Sequence, residues 1–472
     1  MSQEQSTAGA GEAARAFLAD VQAAAPNLAV LSSEEDRGRY ATDQGPITDF
    51  QLPDAVMLPE LAEDVQAIMR AATQHRIAVI ARGAGTGVSG AANATRGSVI
   101  LSLERMNRIL DINAFDETAT VQPGVINAEL NLAVAEFGLM YAPDPASFAI
   151  STIGGNIATN AGGLRCAKYG VTRDSVLALN VVLADGTLLR TGHDTFKGVA
   201  GLDLTSLIVG SEGTLGIVVA ATVRLKYLPA KTVNLAAFFP DFPSAAAGVQ
   251  EIGLERVQPA IVELLNHTSM RSLDERFGSA LADRGTALLL VQCDGLAADL
   301  EAEQVRAAIA RAGGTVDDLD PDNATTLINL RRQSRGLDVD QQLRVGEDVA
   351  VPRSQLRDYV AALEKIARKH DTQLEIVAHA GDGNLHPTFY IETANPTPQE
   401  RETLLQRLDA ALDESIDQAL AARGTITGEH GIGQYKLRWL AQEVPPESAR
   451  LQREIKNLFD PLGILNPGKA IL

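Results

Sequence analysis

Hydrophobic and polar positions along this chain follow two periods, and the places where the period changes mark its elements. In residues 59–76 Val65, Ile68, Met69 and Ala72 recur at helical spacing behind an acidic first turn, which predicts an amphipathic helix. The apolar run 77–81 predicts a short buried strand and 98–103 a second; the alternating stretch 117–124, stopped at Pro123-Gly124, predicts a third. Residues 126–138 read as a helix stopped by glycine, 175–192 as a hairpin turned at Asp185-Gly186, and 216–225 as another strand. Pro229 interrupts the pattern within 227–233, and beyond it the texture changes. The strand-like runs NLAAFF and 287–293 are each followed by a helical run, and a long amphipathic helix over 398–423 ends at Gly424. The tail reads as a short helix and a coil pinned by proline and glycine. We expect three parts: a glycine-rich α+β domain over 1–228, an α+β cap domain over 229–424, and a C-terminal segment, 425–472, that completes the site.

A chain of 472 residues exceeds one ordinary core, and 45% hydrophobic with 21% charged residues fits a globular protein. The net charge of −19 argues against nucleic acid as a partner, because phosphate binding needs a Lys/Arg-rich face. Two cysteines, Cys166 and Cys293, make neither a disulfide scaffold nor a cysteine metal site and fit a reducing compartment. The N-terminus shows no basic-then-apolar secretory pattern, and no run reaches about 18 apolar residues. The expected location is therefore cytoplasmic, not integral to a membrane, with peripheral docking through an electron acceptor left open. A homodimer is a reasonable expectation for such a protein.

Forty glycines are a modest excess, and they crowd the stretch between 83 and 216. ARGAGTGVSGAAN (81–93) contains a literal G-x-G-x-x-G after a strand, but a dinucleotide fold needs a helix there. The next strand begins at Ser98, too soon for a crossover helix. The alternative is a loop whose amide N–H groups face a phosphate, with Arg82, Thr86 and Ser89 adding donors. STIGGNIATNAGGLRCAKYG (151–170) and GSEGTLGIV (210–218) read as two further glycine loops. Three of them suit an extended ligand with a pyrophosphate and a flat ring system.

Of the seven histidines, two flank the turn in AHAGDGNLHPTFY (378–390). With Ala380 and Leu385 closing that hairpin, His379 and His386 stand opposite each other, with Cβ atoms roughly 5 Å apart. Such a pair can ligate a divalent metal, or be a hydrogen-bonded or stacked pair without one. Glu429, in TGEHGIG, offers a third ligand, and two His plus one carboxylate leave open positions, as catalytic metals require. In an extended segment His430 points away from Glu429, which makes it a general base and not a fourth ligand. LRRQSRG (330–336) sets Arg331, Arg332 and Arg335 in an acidic chain, where guanidinium groups suit carboxylate recognition.

RGAGTGVSGA, PDPASFAISTIGGNIATNAGG, GVTRD and GSEGTLGIV resemble, in order and spacing, the FAD domain of the vanillyl-alcohol-oxidase/PCMH flavoproteins. HAGDGNLH, GEHGIG and NPGK resemble the branch that oxidises D-2-hydroxy acids: D-lactate dehydrogenases, the glycolate oxidase D subunit and D-2-hydroxyglutarate dehydrogenase. The resemblance spans about residues 40–472 and implies an α+β fold, a PCMH-type FAD domain followed by a cap with an antiparallel sheet. It also implies that Arg82, Gly83, Ala84, Gly85, Thr86, Gly87, Ser89 and Gly90 cradle the pyrophosphate. Pro123, Gly124, Asp144, Ser147, Thr152, Gly154, Gly155, Asn156, Asn160 and Gly163 would line ribose, phosphate and flavin. Glu212, Gly216, Ile217 and Asn466 would complete the cofactor site. Relatives with covalent FAD carry a histidine in the first glycine loop; Val88 and Ser89 stand here, so non-covalent FAD is expected.

The resemblance further assigns His379, His386 and Glu429 to a site for Zn²⁺ or another divalent metal. It places Arg331 at the substrate carboxylate; the electron acceptor stays open among a quinone, a cytochrome, an electron-transfer flavoprotein and oxygen. Relatives specific for 2-hydroxyglutarate carry a lysine shortly before the D-x-x-x-P stretch, here Asp348 to Pro352, where this chain has Gly346 in the neighbourhood and Arg344 nearby; they also have an asparagine two residues after the second histidine, where it has Thr388. The expected substrate is thus a small or apolar D-2-hydroxy acid such as D-lactate or 2-hydroxybutyrate, with a D-2-hydroxyglutarate-specific enzyme as the alternative. Two other readings are a flavin-free zinc hydrolase on the same three ligands, which leaves the glycine loops without a task, and a flavin-binding subunit whose activity resides in a partner.

Overall fold

The computed structural model describes residues 2–332 and 342–472, so Arg335 lies outside the described residues. Two larger sheets and a two-stranded pair, Leu139–Met140 with Lys226–Tyr227, form from the glycine-rich half. In the first, the spatial order is Ala29–Leu31, Ala55–Leu58, Ser98–Ser102, Ala78–Arg82, and both neighbours of Ser98–Ser102 run parallel to it. Helix Ala62–His75 buries Val65, Ile68, Met69 and Ala72 on one face of this sheet, alongside helix Ser2–Ala24, as its periodicity predicts. Burying each such side chain contributes about 1.5–3 kcal/mol. The link from Ala78–Arg82 to Ser98–Ser102 contains no helix, so the chain makes a parallel pair with a glycine loop as its crossover. A second, antiparallel sheet has the order Ile109–Asn113, Thr118–Val121, Ile217–Arg224, Val176–Val182, Leu188–Gly192.

The second glycine stretch departs from its expected loop. Ile153–Thr159 is a helix, and the Thr152 side chain caps it by accepting from Gly155 N. Gly154 and Gly155 each cost a helix about 1 kcal/mol relative to alanine. The cap and the burial of Ile153 and Ile157, four residues apart, offset that cost.

The remaining large sheet is antiparallel, in the order Thr315–Leu319, Thr232–Phe239, Ala287–Asp294, Ile261–Asn266, Gln373–His379, Asn384–Glu392, Gln342–Gly346. Its strands alternate faces. On Gln373–His379, Leu374, Ile376 and Ala378 join the core under helices Phe242–Leu254, Ala298–Arg311, Leu356–Lys369 and Pro398–Ala421. Glu375, Val377 and His379 stand on the opposite face, where polar groups line a cavity. No helix among the described residues is long and apolar enough to cross a membrane.

Candidate active site

Two adjoining cavities, of about 360 and about 310 Å³, occupy the junction between the glycine-rich half and the large sheet. The first is mostly main chain and small side chains. Arg82, Gly83, Ala84, Gly85, Thr86 and Gly87 line one side of it. Pro123, Ser147, Thr152, Gly154, Gly155 and Asn156 line another, with Glu212, Gly216 and Ile217 beyond. Arg82 turns its guanidinium under the loop, donating to Thr42 O at 2.8 Å. The remaining expected cofactor residues lie outside this lining. Ser89 belongs to the second cavity, while Gly90, Gly124, Asp144, Asn160, Gly163 and Asn466 support the walls. Gly163 packs so tightly that a Cβ there would lie 2.0 Å from Asp144 O. Asn466 donates to Glu212 O and Ala91 O, tying the C-terminal coil to the glycine loops.

The cavity fits a phosphate-bearing flavin nucleotide: glycine backbone lines it, and the buried Asn156 Nδ2 has no partner among the described residues, a donor waiting for an acceptor. Val88 in the lining has no nucleophilic atom for a covalent link.

The second cavity is built from charged side chains. His379 and His386 lie on one face of the hairpin, but not directly opposite: His379 pairs with Asn384, and His386 with Val377. The turn therefore spans 380–383, not 381–384. Asn384 enters the strand because its side chain donates to Asp348 Oδ1 and Val349 O, and Gly383 takes a positive φ of 88°. The diagonal still brings the rings together, 5.2 Å apart and edge to face.

The segment carrying Glu429 and His430 is likewise not extended. It curls around Asp348, whose Oδ2 accepts from the amides of Gly428, Glu429 and His430 at 2.9–3.0 Å. Glu212 accepts from Ile432 N and Gly433 N. Position 433 needs glycine, since its φ is 52° and a Cβ would lie 2.0 Å from Ser89 O. The curl aims Glu429 and His430 the same way: Glu429 Oε1 lies 3.3 Å from His379 Nε2, 3.4 Å from His386 Nε2 and 3.7 Å from His430 Nε2. The His386 and His430 rings stack at 5.1 Å.

Ligand atoms of His379, His386 and Glu429 fall within 4.8 Å of one another, a donor set suited to a divalent ion. Asp348, His386 and His430 meet the same distance. Asp348, however, is already occupied by amides, by Thr427 Oγ1 and by Asn384. Burial opposes ionisation of Asp348, yet the charges of His430, Lys436 and His386 hold its carboxyl far below the usual range. Burial would also lower His379, but Glu263 and Glu429 override it and raise the imidazole to about 10. His386 is lowered, chiefly by burial. Glu429 stays ionised despite burial because His379 and His386 face it.

Arg331 is buried between this cluster and strand Ile261–Asn266. Its Nε pairs with Glu263 Oε2 at 2.5 Å, and a terminal nitrogen lies 3.5 Å from His379 Nδ1. Glu263 is fully buried and holds His379 Nδ1 at 2.6 Å, which fixes the ring and turns Nε2 toward Glu429. Sequence reading missed Glu263; the available signal was a single acid inside the apolar run IVELLN. It also missed Glu347 and Lys436, a buried pair at 2.7 Å, because the two stand far apart in sequence with no local pattern to join them.

Comparison with known proteins places this arrangement. Residues 53–192 match the model of the FAD binding domain, and residues 228–470 match that of the C-terminal domain of FAD linked oxidases. The chain belongs to the FAD-linked oxidase family. It is 38% identical over 442 residues to the glycolate oxidase subunit GlcD of Bacillus subtilis, covering 92% of this chain and 93% of that one. D-2-hydroxyglutarate dehydrogenase of Stutzerimonas stutzeri is 32% identical, covering 88% of this chain and 90% of its own length. D-lactate dehydrogenase of Anaerostipes hadrus is 30% identical, covering 93% and 94%. Among solved structures, p-cresol methylhydroxylase superposes with a TM-score of 0.78 at 19% identity, covering 98% of this chain and 97% of that chain. 4-Ethylphenol oxidase of Gulosibacter chungangensis does so at 0.76 and 22%, covering 100% and 98%. The fold is the α+β fold of PCMH-type flavoenzymes, and the chain is an FAD-linked oxidoreductase related to hydroxy-acid dehydrogenases.

Proposed function

We propose that the chain oxidises a D-2-hydroxy acid to the 2-oxo acid, using non-covalent FAD and a divalent metal such as Zn²⁺. One observation carries this reading: Glu429 and His430 line both cavities, so a metal-ligand carboxylate and an imidazole stand where the flavin cavity meets the polar one. When bound, FAD supplies a two-electron acceptor, and the divalent ion supplies the Lewis acidity that lowers a hydroxyl pKa. His379, His386 and Glu429 would hold the ion, and Glu263 keeps His379 oriented for it. His430 takes the proton of the 2-hydroxyl, within reach of the same cluster. Arg331 stands at the substrate carboxylate while paired to Glu263. Residues shared by the two cavities would hold C2 toward the flavin when it is bound.

A flavin-free hydrolase on the same ligands would leave the larger cavity without a task. Anaerobic titration of the yellow purified chain with D-2-hydroxy acids tests the proposal: bleaching by the chain alone is expected, and EDTA should abolish it while flavin stays bound. A chain that stays yellow with every D-2-hydroxy acid refutes it. Assays with a quinone, a cytochrome and an electron-transfer flavoprotein then identify the electron acceptor.

A further inference from the structure

The second cavity holds four cations among the described residues, Arg331, Arg332, Arg344 and Lys436, and each already has its own carboxylate. Arg331 pairs with Glu263, Arg332 with Asp144, Lys436 with Glu347 and Arg344 with Glu375. The last pair forms the wall away from the flavin. Strands Gln373–His379, Asn384–Glu392 and Gln342–Gly346 run side by side there, and Thr388 is opposite both Glu375 and Gly346. These three share a face with His386, two residues back along the strand, and with Arg344 and Tyr390, two residues on.

A step of two residues along a strand is about 6–7 Å. A five-carbon hydroxy diacid anchored by its C1 end at His379 and His386 therefore extends its second carboxylate into the row of Glu375 and Thr388. That row offers it no unclaimed cation among the described residues. Arg344 is held by Glu375, by Gln342 Oε1 at 3.0 Å and over the Tyr390 ring at 5.4 Å. Glu375 is itself buried, with Oε1 lacking a partner; burial raises its pKa while the Arg344 guanidinium opposes that rise, and a second anion arriving there meets this carboxylate with little water to screen it. Nor does the row have room for an added cation at 346, where a Cβ would lie 2.7 Å from Thr388 Oγ1.

We propose that Glu375 is a specificity-determining residue: by claiming Arg344 it excludes a second carboxylate, so the cavity takes 2-hydroxy monocarboxylates with an uncharged tail. This inference rests on the hydroxy-acid reading above.

The test compares anaerobic flavin bleaching by D-2-hydroxypentanoate and D-2-hydroxyglutarate, which differ at the far end and not in chain length. The wild type should favour the monocarboxylate by about thirtyfold or more in second-order rate. Glu375→Gln frees Arg344 and should narrow that ratio by at least about tenfold. The double variant Arg344→Gln/Glu375→Gln, with no cation to receive the diacid, should lose the gain. Arg344→Gln alone leaves an uncompensated Glu375 and should widen the ratio; it decides the matter should Glu375→Gln fail to fold. A wild type that bleaches equally with both acids, or a flavin-loaded Glu375→Gln with an unchanged ratio, overturns this inference alone. A wild type bleached by no D-2-hydroxy acid overturns the parent reading together with it.

Discussion

The two cavities share Glu429 and His430, together with Gln44, Val88, Ala146 and Arg332, yet they are made in opposite ways. The larger is walled by main chain: glycines at 83, 85, 87, 154, 155 and 216 bring amides to the surface and keep side chains out. The smaller is walled by paired charges on a sheet face, each cation answered by a carboxylate. The backbone site announces itself locally, because its glycines cluster in sequence, although Gly83, Gly154 and Gly216 make room for Thr152, Pro123 and Val181 on other elements. A charged site is specified at long range: Arg332 and Asp144 are 188 residues apart, His379 and Glu263 116.

Breaking the shared dipeptide should have the largest effect. His430→Ala is expected to slow flavin reduction by about 10²–10⁴-fold while the protein stays yellow, because the main-chain cavity does not need the imidazole. A stopped-flow rate equal to wild type would remove His430 as the base. A smaller effect separates the cavities by pH. A metal bound at His379 would have to displace the proton that Glu263 and Glu429 hold there up to about pH 10. Affinity for added Zn²⁺ in the metal-free protein should therefore rise by about tenfold per pH unit below that value and flatten above it, while flavin affinity should not follow this slope. Competition with a chromophoric chelator between pH 6 and 9 reads it, and a flat profile would show that His379 binds no metal. The smallest effect is on the backbone side. Gly163→Ala places a Cβ 2.0 Å from Asp144 O at a φ of 144°, so one segment must move. The expected cost is about 1–3 kcal/mol, seen as a lower melting temperature and weaker flavin retention; an unchanged melting temperature would mean that the wall is softer than its geometry implies.

This contrast also explains what was readable from sequence. The glycine loop at 83–90 was legible because spacing after a strand is a local signal, and Asp185-Gly186 announced its hairpin for the same reason. The residues of the His379, His386 and Glu429 cluster were legible by type, and the structure brings them together. Their geometry was not: the hairpin is shifted by one residue because Asn384 bonds to Asp348 and Val349, elements far from the turn. The 428–433 segment curls because of two buried acids from elsewhere, which no pattern within TGEHGIG discloses. Helix Ile153–Thr159 was hidden by its glycines, whose low propensity is outweighed by a threonine cap and two buried isoleucines. Glu375 and Glu263 escaped notice because an acid in a strand gains meaning only from its neighbour across the sheet.

Asp348 grips one end of the 428–433 segment from the large sheet, and Glu212 grips the other from the glycine-rich half. The strap is thus stitched to both sides of the junction through its backbone amides. A chimaera that grafts the cap of one relative onto the flavin half of another must carry acids at 212 and 348 as a matched set, or the strap will lose one of its two anchors.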